Sequence, residues 1–145
     1  MTRKEKAESL FLEGYNCAQA VACSFCEELG LEESVVFAAC EGFGLGMGAM
    51  QATCGAVSGA VMVSGFKNSC KDLEQPNSKG KTYQLSKEIV AQFVEKNSTI
   101  VCKELKGVET GKMLRSCKDC IADEFMFRHK NIQDRDSLFK VYSFI

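Results

Sequence analysis

The sequence has 145 residues, of which 46% are hydrophobic and 26% are charged, so intrinsic disorder and collagen-like repeats are excluded. Eighteen basic and nineteen acidic residues leave a net charge of −1, and no excess of positive charge is available for a phosphate backbone or an anionic membrane. We therefore expect neither nucleic acid nor a membrane as a partner. Because a chain of this length can bury a core of its own, we expect one domain over residues 1–145.

Apolar residues recur at helical spacing along the chain, and no segment alternates in the manner of a strand. Capping residues and terminal glycines indicate where the helices begin and end. Asn16, Thr53 and Ser116 are the predicted N-caps of the second, fourth and sixth helices. The predicted helices cover residues 2–12, 17–29, 32–40, 54–62, 82–96 and 117–128, with one or two helical turns at 100–105.

A glycine-rich segment with Gly44, Gly46 and Gly48 precedes the fourth helix and is too rich in glycine for regular structure. The fourth helix itself carries small residues, including Gly55 and Gly59, which allow neighbouring helices to approach closely. We therefore place it at the centre of a helix bundle. The predicted fold class is all-α: a compact single-domain bundle of five to seven helices, with a glycine-rich loop before a central small-residue helix.

Nine cysteines stand out in this composition. Residues 1–6 are charged and no apolar segment follows them, so we expect neither a secretory signal nor a transit peptide. No stretch approaches the roughly 18 apolar residues that a membrane span needs. We predict a cytoplasmic protein, in which thiols stay reduced and serve as small hydrophobic residues, metal ligands or redox groups.

Four cysteines fall at or near predicted helix starts: Cys17, Cys54, Cys102 and Cys117. Free N–H groups and the helix dipole favour a thiolate at these positions, and the thiolate is the form that binds metals and attacks disulfides. These four are the predicted catalytic and metal-ligating residues. Four thiolates suit zinc as well as an iron–sulfur cluster, and the sequence contains no CxxCH motif for haem attachment. The alternative is that these four cysteines are separate buried thiols that only pack in the core.

A CxxC motif formed by Cys117 and Cys120 begins the sixth helix, where it can form a reversible disulfide or supply two metal ligands. Cys120 is therefore added to the predicted catalytic cysteines. Asp119, Asp123 and Glu124 are interpreted as first-turn acids of the same helix. The other cysteines are interpreted as core packing or as incidental: Cys23, Cys26, Cys40 and Cys70.

Several segments of the chain together form a pattern of cysteines and small residues. They are Gly14-Tyr15-Asn16-Cys17-Ala18-Gln19-Ala20-Val21, the glycine-rich residues 42–48, Thr53-Cys54-Gly55-Ala56-Val57-Ser58-Gly59-Ala60, Cys102 in its short segment, and Cys117 before Ile121-Ala122-Asp123. In these segments the chain resembles the putative redox-active proteins named for their C_GCAxxG_C_C cysteine pattern. This resemblance implies a small helical domain with a redox role, in which Cys17, Cys54, Cys102 and Cys117 are the pattern cysteines.

The leading hypothesis is a thiol-based redox or electron-transfer protein, either an oxidoreductase or a carrier, with an unnamed redox partner. Its cysteines hold a metal or an iron–sulfur centre, or cycle between thiol and disulfide with Cys120 as a resolving or replacement thiol. A second hypothesis is a small-molecule or phosphate-binding module whose cofactor-binding residues are Gly44, Gly46 and Gly48. A third is a helical interaction protein whose apolar residues 136–145 form a homo-oligomer interface.

Overall fold

The computed structural model describes residues 1–126, and over this range the chain contains eight α-helices, one 3₁₀ turn and no strand. The predicted all-α class is confirmed. The only β-type pairing recorded in the same range is an isolated antiparallel bridge between Thr53 and Val101. The helices are α1 (Arg3–Leu12), α2 (Cys17–Cys23), α3 (Cys26–Leu29), α4 (Glu33–Cys40), α5 (Gly55–Asn68), α6 (Lys79–Asn97), α7 (Cys102–Lys106) and α8 (Cys117–Glu124), and the 3₁₀ turn covers Glu41–Phe43.

Two of the three predicted N-caps are confirmed. The Asn16 side chain accepts a hydrogen bond from the third residue of α2, and the Ser116 side chain does the same for α8. Thr53 is not the cap of α5, because the helix begins one residue later than predicted and Cys54 is its N-cap residue. Thr53 instead pairs with Val101, which joins the approach to α5 to the approach to α7.

The predicted second helix is divided into α2 and α3 at Ser24 and Phe25, so the prediction of one continuous helix is wrong. The Ser24 hydroxyl donates a hydrogen bond to the Val21 carbonyl at 2.7 Å, in competition with the helical pattern. Phe25 is fully buried, and its ring stacks on Phe125 with the centroids 5.9 Å apart. The interruption therefore places an aromatic side chain in the core, which apolar periodicity alone does not indicate.

Close contact between α2 and α5 sets the geometry of the bundle. A Cβ atom added at Gly59 would lie 2.7 Å from the Ala18 carbonyl oxygen, and one added at Gly55 would lie 3.1 Å from the Ala18 nitrogen. The two backbones can approach this closely only because these positions of α5 carry no side chain. Since Cys17 begins α2 and Cys54 caps α5, the same contact brings two predicted site cysteines to one end of the helix pair.

The loop between the 3₁₀ turn and α5 contains a run of left-handed backbone. Six successive residues have φ between 52° and 72°, which costs roughly 1–2 kcal/mol for each non-glycine residue. The loop is held by the start of α7, because the Cys102 nitrogen donates to Ala52 at 2.9 Å and the Lys103 nitrogen to Met50 at 3.1 Å. The residues of the run are Leu45, Gly46, Met47, Gly48, Ala49 and Met50.

A buried carboxylate, Asp123, orients α8. It is 1% exposed and accepts hydrogen bonds from Arg115 at 2.7 and 3.0 Å, from Lys96 at 2.6 Å and from Asn97 at 3.0 Å. Burial alone would raise the pKa of Asp123, but these donors lower it below its ordinary value. Because Lys96 and Asn97 belong to α6, the cluster ties the end of α8 to the end of α6.

None of the helices within residues 1–126 has the length and apolar character needed to cross a bilayer. The apolar segment 136–145, for which an oligomer interface is predicted, lies outside the described residues, and so does the predicted end of the sixth helix at residue 128. Within the described residues α8 ends at Glu124.

We expect Gly59→Ala to destabilise the protein by about 1–3 kcal/mol, because its new methyl group would overpack the contact with α2. Gly65→Ala is the matched control: it lies in the same helix and its Cβ would have nothing within 4 Å. The control should stabilise the protein by about 0.5–1 kcal/mol through helix propensity. Urea unfolding measures both, and equal effects of the two substitutions would contradict the close contact.

Candidate thiol site

Four of the predicted site cysteines lie together as two hydrogen-bonded pairs. The Cys17 thiol of α2 donates to the Cys117 sulfur of α8, and the Cys120 thiol of α8 donates to the Cys54 sulfur at the start of α5. Cys117 is half-buried, whereas Cys54 and Cys120 are 3% and 0% exposed. We call Cys17 and Cys117 the outer pair and Cys54 and Cys120 the inner pair. Each cysteine of the CxxC motif therefore has its partner on another helix.

The negative charge of the outer pair belongs on Cys117. The hydrogen bond from Cys17 lowers the pKa of Cys117, and the Lys106 ammonium group lowers it further against the opposing effect of burial. The same hydrogen bond, together with burial, raises the pKa of Cys17. One proton is therefore shared unequally: Cys17 keeps it as a thiol, and Cys117 is the thiolate.

The inner pair is polarised in the same way. The hydrogen bond from Cys120 lowers the pKa of Cys54, burial opposes this, and the backbone N–H groups of Ala56 and Val57 in the first turn of α5 lower it again. The pKa of Cys120 is raised by its hydrogen bond to Cys54 and by burial. Cys54 is thus the thiolate of the inner pair, stabilised by a helix start as the sequence predicts for this kind of position.

Lys106, the last residue of α7, lies among these thiols and was missed by sequence reasoning. Its ammonium group donates to the Arg115 carbonyl at 3.1 Å and interacts with Cys117. Burial would lower the pKa of Lys106, but the hydrogen bond to Cys117 and the charges of the other cysteines raise it. The sequence does contain a pattern that indicates this position, because Lys106 is four residues after Cys102 and therefore on the same face of α7.

Cys102 begins α7 and lies under the glycine-rich loop. A Cβ atom added at Gly46 would lie 2.1 Å from the Cys102 Cβ atom, so the loop backbone covers this residue directly. Burial raises the pKa of Cys102, and the charges of Cys54 and Cys117 raise it further. Cys102 is therefore a neutral thiol next to both pairs.

The three predicted ligand-binding glycines have different surroundings. A Cβ atom at Gly44 would lie 2.4 Å from the Asn16 side-chain nitrogen, and Gly46 faces Cys102, whereas a Cβ atom at Gly48 would have no neighbour within 4 Å. Gly44 and Gly46 thus allow the loop to cross the start of α2 and the start of α7. Their binding of a small molecule or phosphate stays a prediction.

The remaining cysteines lie apart from this site. Cys23, Cys26 and Cys40 are buried. Burial raises the pKa of all three thiols, to about 12 for Cys23 and to about 11 for Cys40. They are therefore poor nucleophiles. Cys70 is exposed in the loop between α5 and α6, and a hydrogen bond with Ser78 lowers its pKa to about 7.

Three acids of α8 were interpreted as first-turn residues, and this is confirmed only for Asp119. Asp123 and Glu124 are the last two residues of the helix, because α8 ends earlier than predicted, and both are buried. Neither carboxylate oxygen of Glu124 has a hydrogen-bond partner among residues 1–126. Burial raises the pKa of Glu124 well above its ordinary value, and the charges of Cys54 and Asp123 act in the same direction.

The thiols around Lys106 are candidate ligands for a metal ion. Among the described residues no three His, Cys, Asp or Glu side chains are grouped as metal ligands. The Lys106 ammonium group, which interacts with Cys17, Cys117 and Cys120, also opposes a second cation at the same place. The four predicted ligands lie near one another around Lys106, and their binding of a metal stays a prediction.

The fold and the site define a class: an all-α, cysteine-rich protein in which thiols from several helix starts surround one lysine. A family model described as "putative redox-active protein (C_GCAxxG_C_C)" matches residues 15–129, and the chain belongs to this family. Comparison with curated proteins and with solved structures gave no match.

We expect Lys106→Met to raise the pH at which Cys117 becomes reactive by about one unit or more, because the thiolate loses its neighbouring positive charge. Lys103→Met is the control on the same helix, since Lys103 pairs with Glu109 instead. Iodoacetamide modification of Cys117, followed by mass spectrometry between pH 5 and pH 10, measures the midpoint. The same midpoint in both variants would contradict the role of Lys106.

The contact between Gly46 and Cys102 can be tested with two glycines of equal backbone strain, since φ is 62° at Gly46 and 63° at Gly48. Gly48→Ala should cost only the left-handed penalty, about 1–2 kcal/mol. Gly46→Ala should cost more and should speed alkylation of Cys102, because the new methyl group displaces the loop. Denaturant unfolding and peptide mapping measure both effects, and equal results for the two variants would exclude the close contact.

Proposed function

We propose that this protein is a thiol–disulfide redox protein in which Cys117 is the attacking thiolate. The observation that carries the proposal is the environment of the Cys117 sulfur. It is half-exposed, it accepts a hydrogen bond from the Cys17 thiol, and it lies beside the Lys106 ammonium group. A thiolate that is both stabilised and accessible is what attack on a disulfide requires.

The reaction proceeds in two exchange steps with a disulfide substrate. Cys117 first attacks one sulfur of the substrate disulfide, forms a mixed disulfide and releases the other sulfur as a thiolate, which takes a proton from water. The Cys17 thiol then gives its proton to water and attacks the Cys117 sulfur, and the second substrate sulfur leaves as a thiolate that takes a proton from water. The Cys17–Cys117 pair is oxidised by two electrons, and one substrate disulfide becomes two thiols.

The geometry favours Cys17 over Cys120 as the thiol that resolves the mixed disulfide. Cys17 already donates its hydrogen bond to the Cys117 sulfur, so it is within reach of the bond that must be broken. Cys120 donates to Cys54 and is fully buried. The resolving role predicted for Cys120 from the CxxC spacing therefore passes to Cys17 in this proposal.

Zinc or an iron–sulfur cluster on Cys17, Cys54, Cys102 and Cys117 stays a prediction of the sequence. Membership of a cysteine-rich redox family is compatible with a metal cofactor, and thiolates are the ligands that both centres use. The present arrangement favours thiol exchange because the Lys106 ammonium group interacts with Cys17, Cys117 and Cys120, and its positive charge opposes a metal cation on the same thiols. Metal and sulfide analysis of anaerobically purified protein decides between the two.

The test traps the mixed disulfide in a Cys70→Ser background, which removes the one exposed thiol of the described residues. With hydroxyethyl disulfide as substrate, Cys17→Ser should accumulate an adduct on Cys117, because nothing resolves it. Cys120→Ser should proceed to the Cys17–Cys117 disulfide as the parent does. Intact-mass and peptide mass spectrometry after an acid quench measure the products.

Two results would overturn the proposal. One is an adduct that persists in Cys120→Ser and not in Cys17→Ser, which would make the CxxC motif the reactive dithiol. The other is a parent protein whose Cys117 reacts no faster than free cysteine near pH 6. Cys117→Ser is the control for background reaction at the remaining thiols.

A further inference from the structure

The outward face of α6 carries apolar side chains beside an open groove. Within residues 1–126 the groove is lined only by residues of α6 itself. Tyr83 on this face is 66% exposed and Val94 is 37% exposed, and Val90 lies between them. The opposite face of α6 already fills the core through the buried residues Leu85, Ile89 and Phe93. A second apolar strip on such a helix indicates contact with a further protein surface.

Two opposite charges on this face lie at equal distances from Ala91. One row along the helix, with a spacing of four residues, consists of Tyr83, Lys87, Ala91 and Glu95, all of them exposed. Lys87 and Glu95 are each about 6 Å along the helix axis from Ala91, and about 12 Å from each other, which is too far for them to pair. Neither has an ion-pair partner in the part of the chain that the structure describes.

This row is complementary to a second copy of itself in the antiparallel orientation. A two-fold axis through Ala91 places Lys87 of one copy opposite Glu95 of the other, and the same pair forms again on the other side of the axis. The parallel orientation would instead bring each charge against its like. Ala91 has the smallest side chain of the row, so the two helices can approach closely at the axis and cover the valines beside it.

We propose that the outward face of α6 is a homodimer interface in which two copies of this chain associate in the antiparallel orientation about Ala91. The partner is a second copy because the charges of the face complement themselves. One helix face buries less than the roughly 800 Å² per partner of a standard interface, so we expect a weak dimer with a dissociation constant of roughly 10–100 μM.

The interface differs from the one predicted for residues 136–145, and it goes beyond the proposed function. No cysteine lies on this face of α6. Thiol exchange and dimer formation are therefore separate properties, and the failure of one does not decide the other.

Sedimentation equilibrium of the full chain measures the dissociation constant, in the Cys70→Ser background and with a reductant so that disulfide-linked dimers are absent. Lys87→Glu and Glu95→Lys should each weaken the dimer about tenfold, because each brings like charges together at both ends of the interface. The double variant has opposite charges again and should recover the parent value within about threefold.

The apolar part of the interface is tested with Val94→Glu, which should leave a monomer because it places a charge against the apolar strip. Leu73→Glu is the matched control, since Leu73 is an apolar residue that is 94% exposed in the loop before α6. It should leave the dissociation constant unchanged.

Cross-linking tests the antiparallel orientation. Ala91→Cys places two thiols at the axis, within the roughly 7 Å between Cα atoms that a disulfide allows, so oxidised glutathione should link the two copies. Gln84→Cys is the control on the same side of the helix, seven residues from the axis. Its two thiols would be about 21 Å apart along the helix axis in the antiparallel dimer and should not be linked, whereas a parallel dimer would be linked at both positions.

Four results would overturn the inference. They are a parent that stays monomeric well above the expected dissociation constant, a double charge variant that associates no better than the single ones, equal effects of Val94→Glu and Leu73→Glu, and equal cross-linking at the two introduced cysteines. A dimer that none of the α6 substitutions weakens would place the interface elsewhere, as at residues 136–145.

Discussion

The site depends on one contact, the approach of the α2 backbone to the α5 backbone at Gly55 and Gly59. At the separation observed, a Cβ atom on Gly59 would lie within 2.7 Å of a carbonyl oxygen of α2. Helices that carry ordinary side chains at their contact pack 8–10 Å apart, which would move the start of α2 away from the start of α5. Because Cys17 and Cys54 occupy these two starts, the glycines of α5 decide whether α8 can contact both cysteines at once.

Within this frame, hydrogen bonding and the partly buried Lys106 ammonium group determine which sulfurs carry the negative charge. Each pair contains one thiol and one thiolate that accepts its hydrogen bond, so a pair holds one negative charge and avoids the repulsion of two. Lys106 lies among the pairs and favours the thiolate most at Cys117, the most exposed cysteine of the two pairs. Solvent exposure and negative charge therefore occur together at Cys117. This explains why the cysteines near helix starts should differ in reactivity.

Local signals predicted much of the fold, because a helix start depends on a few adjacent residues. Asn16 and Ser116 cap their helices as the sequence indicates, since each accepts a backbone hydrogen bond from three residues ahead. The division of the second helix at Phe25 could not be predicted in this way, because it depends on the stacking of Phe25 against Phe125, a hundred residues later in the chain. The interpretation of Glu124 as a first-turn acid was wrong, because Glu124 is the eighth residue of a helix that begins at Cys117, and its burial depends on packing between helices.

By itself, the sequence determined the all-α class, the small-residue character of α5 and the set of cysteines that begin helices, because each of these follows from composition and spacing along the chain. Only the tertiary structure decided which sulfurs pair, which member of a pair keeps the proton, and that Lys106 and Glu124 belong beside them. These properties arise from groups on helices distant in sequence, and hydrogen bonding, desolvation and charge act through space. The same CxxC spacing would suit an internal disulfide, a metal or, as observed, two separate partners on α2 and α5.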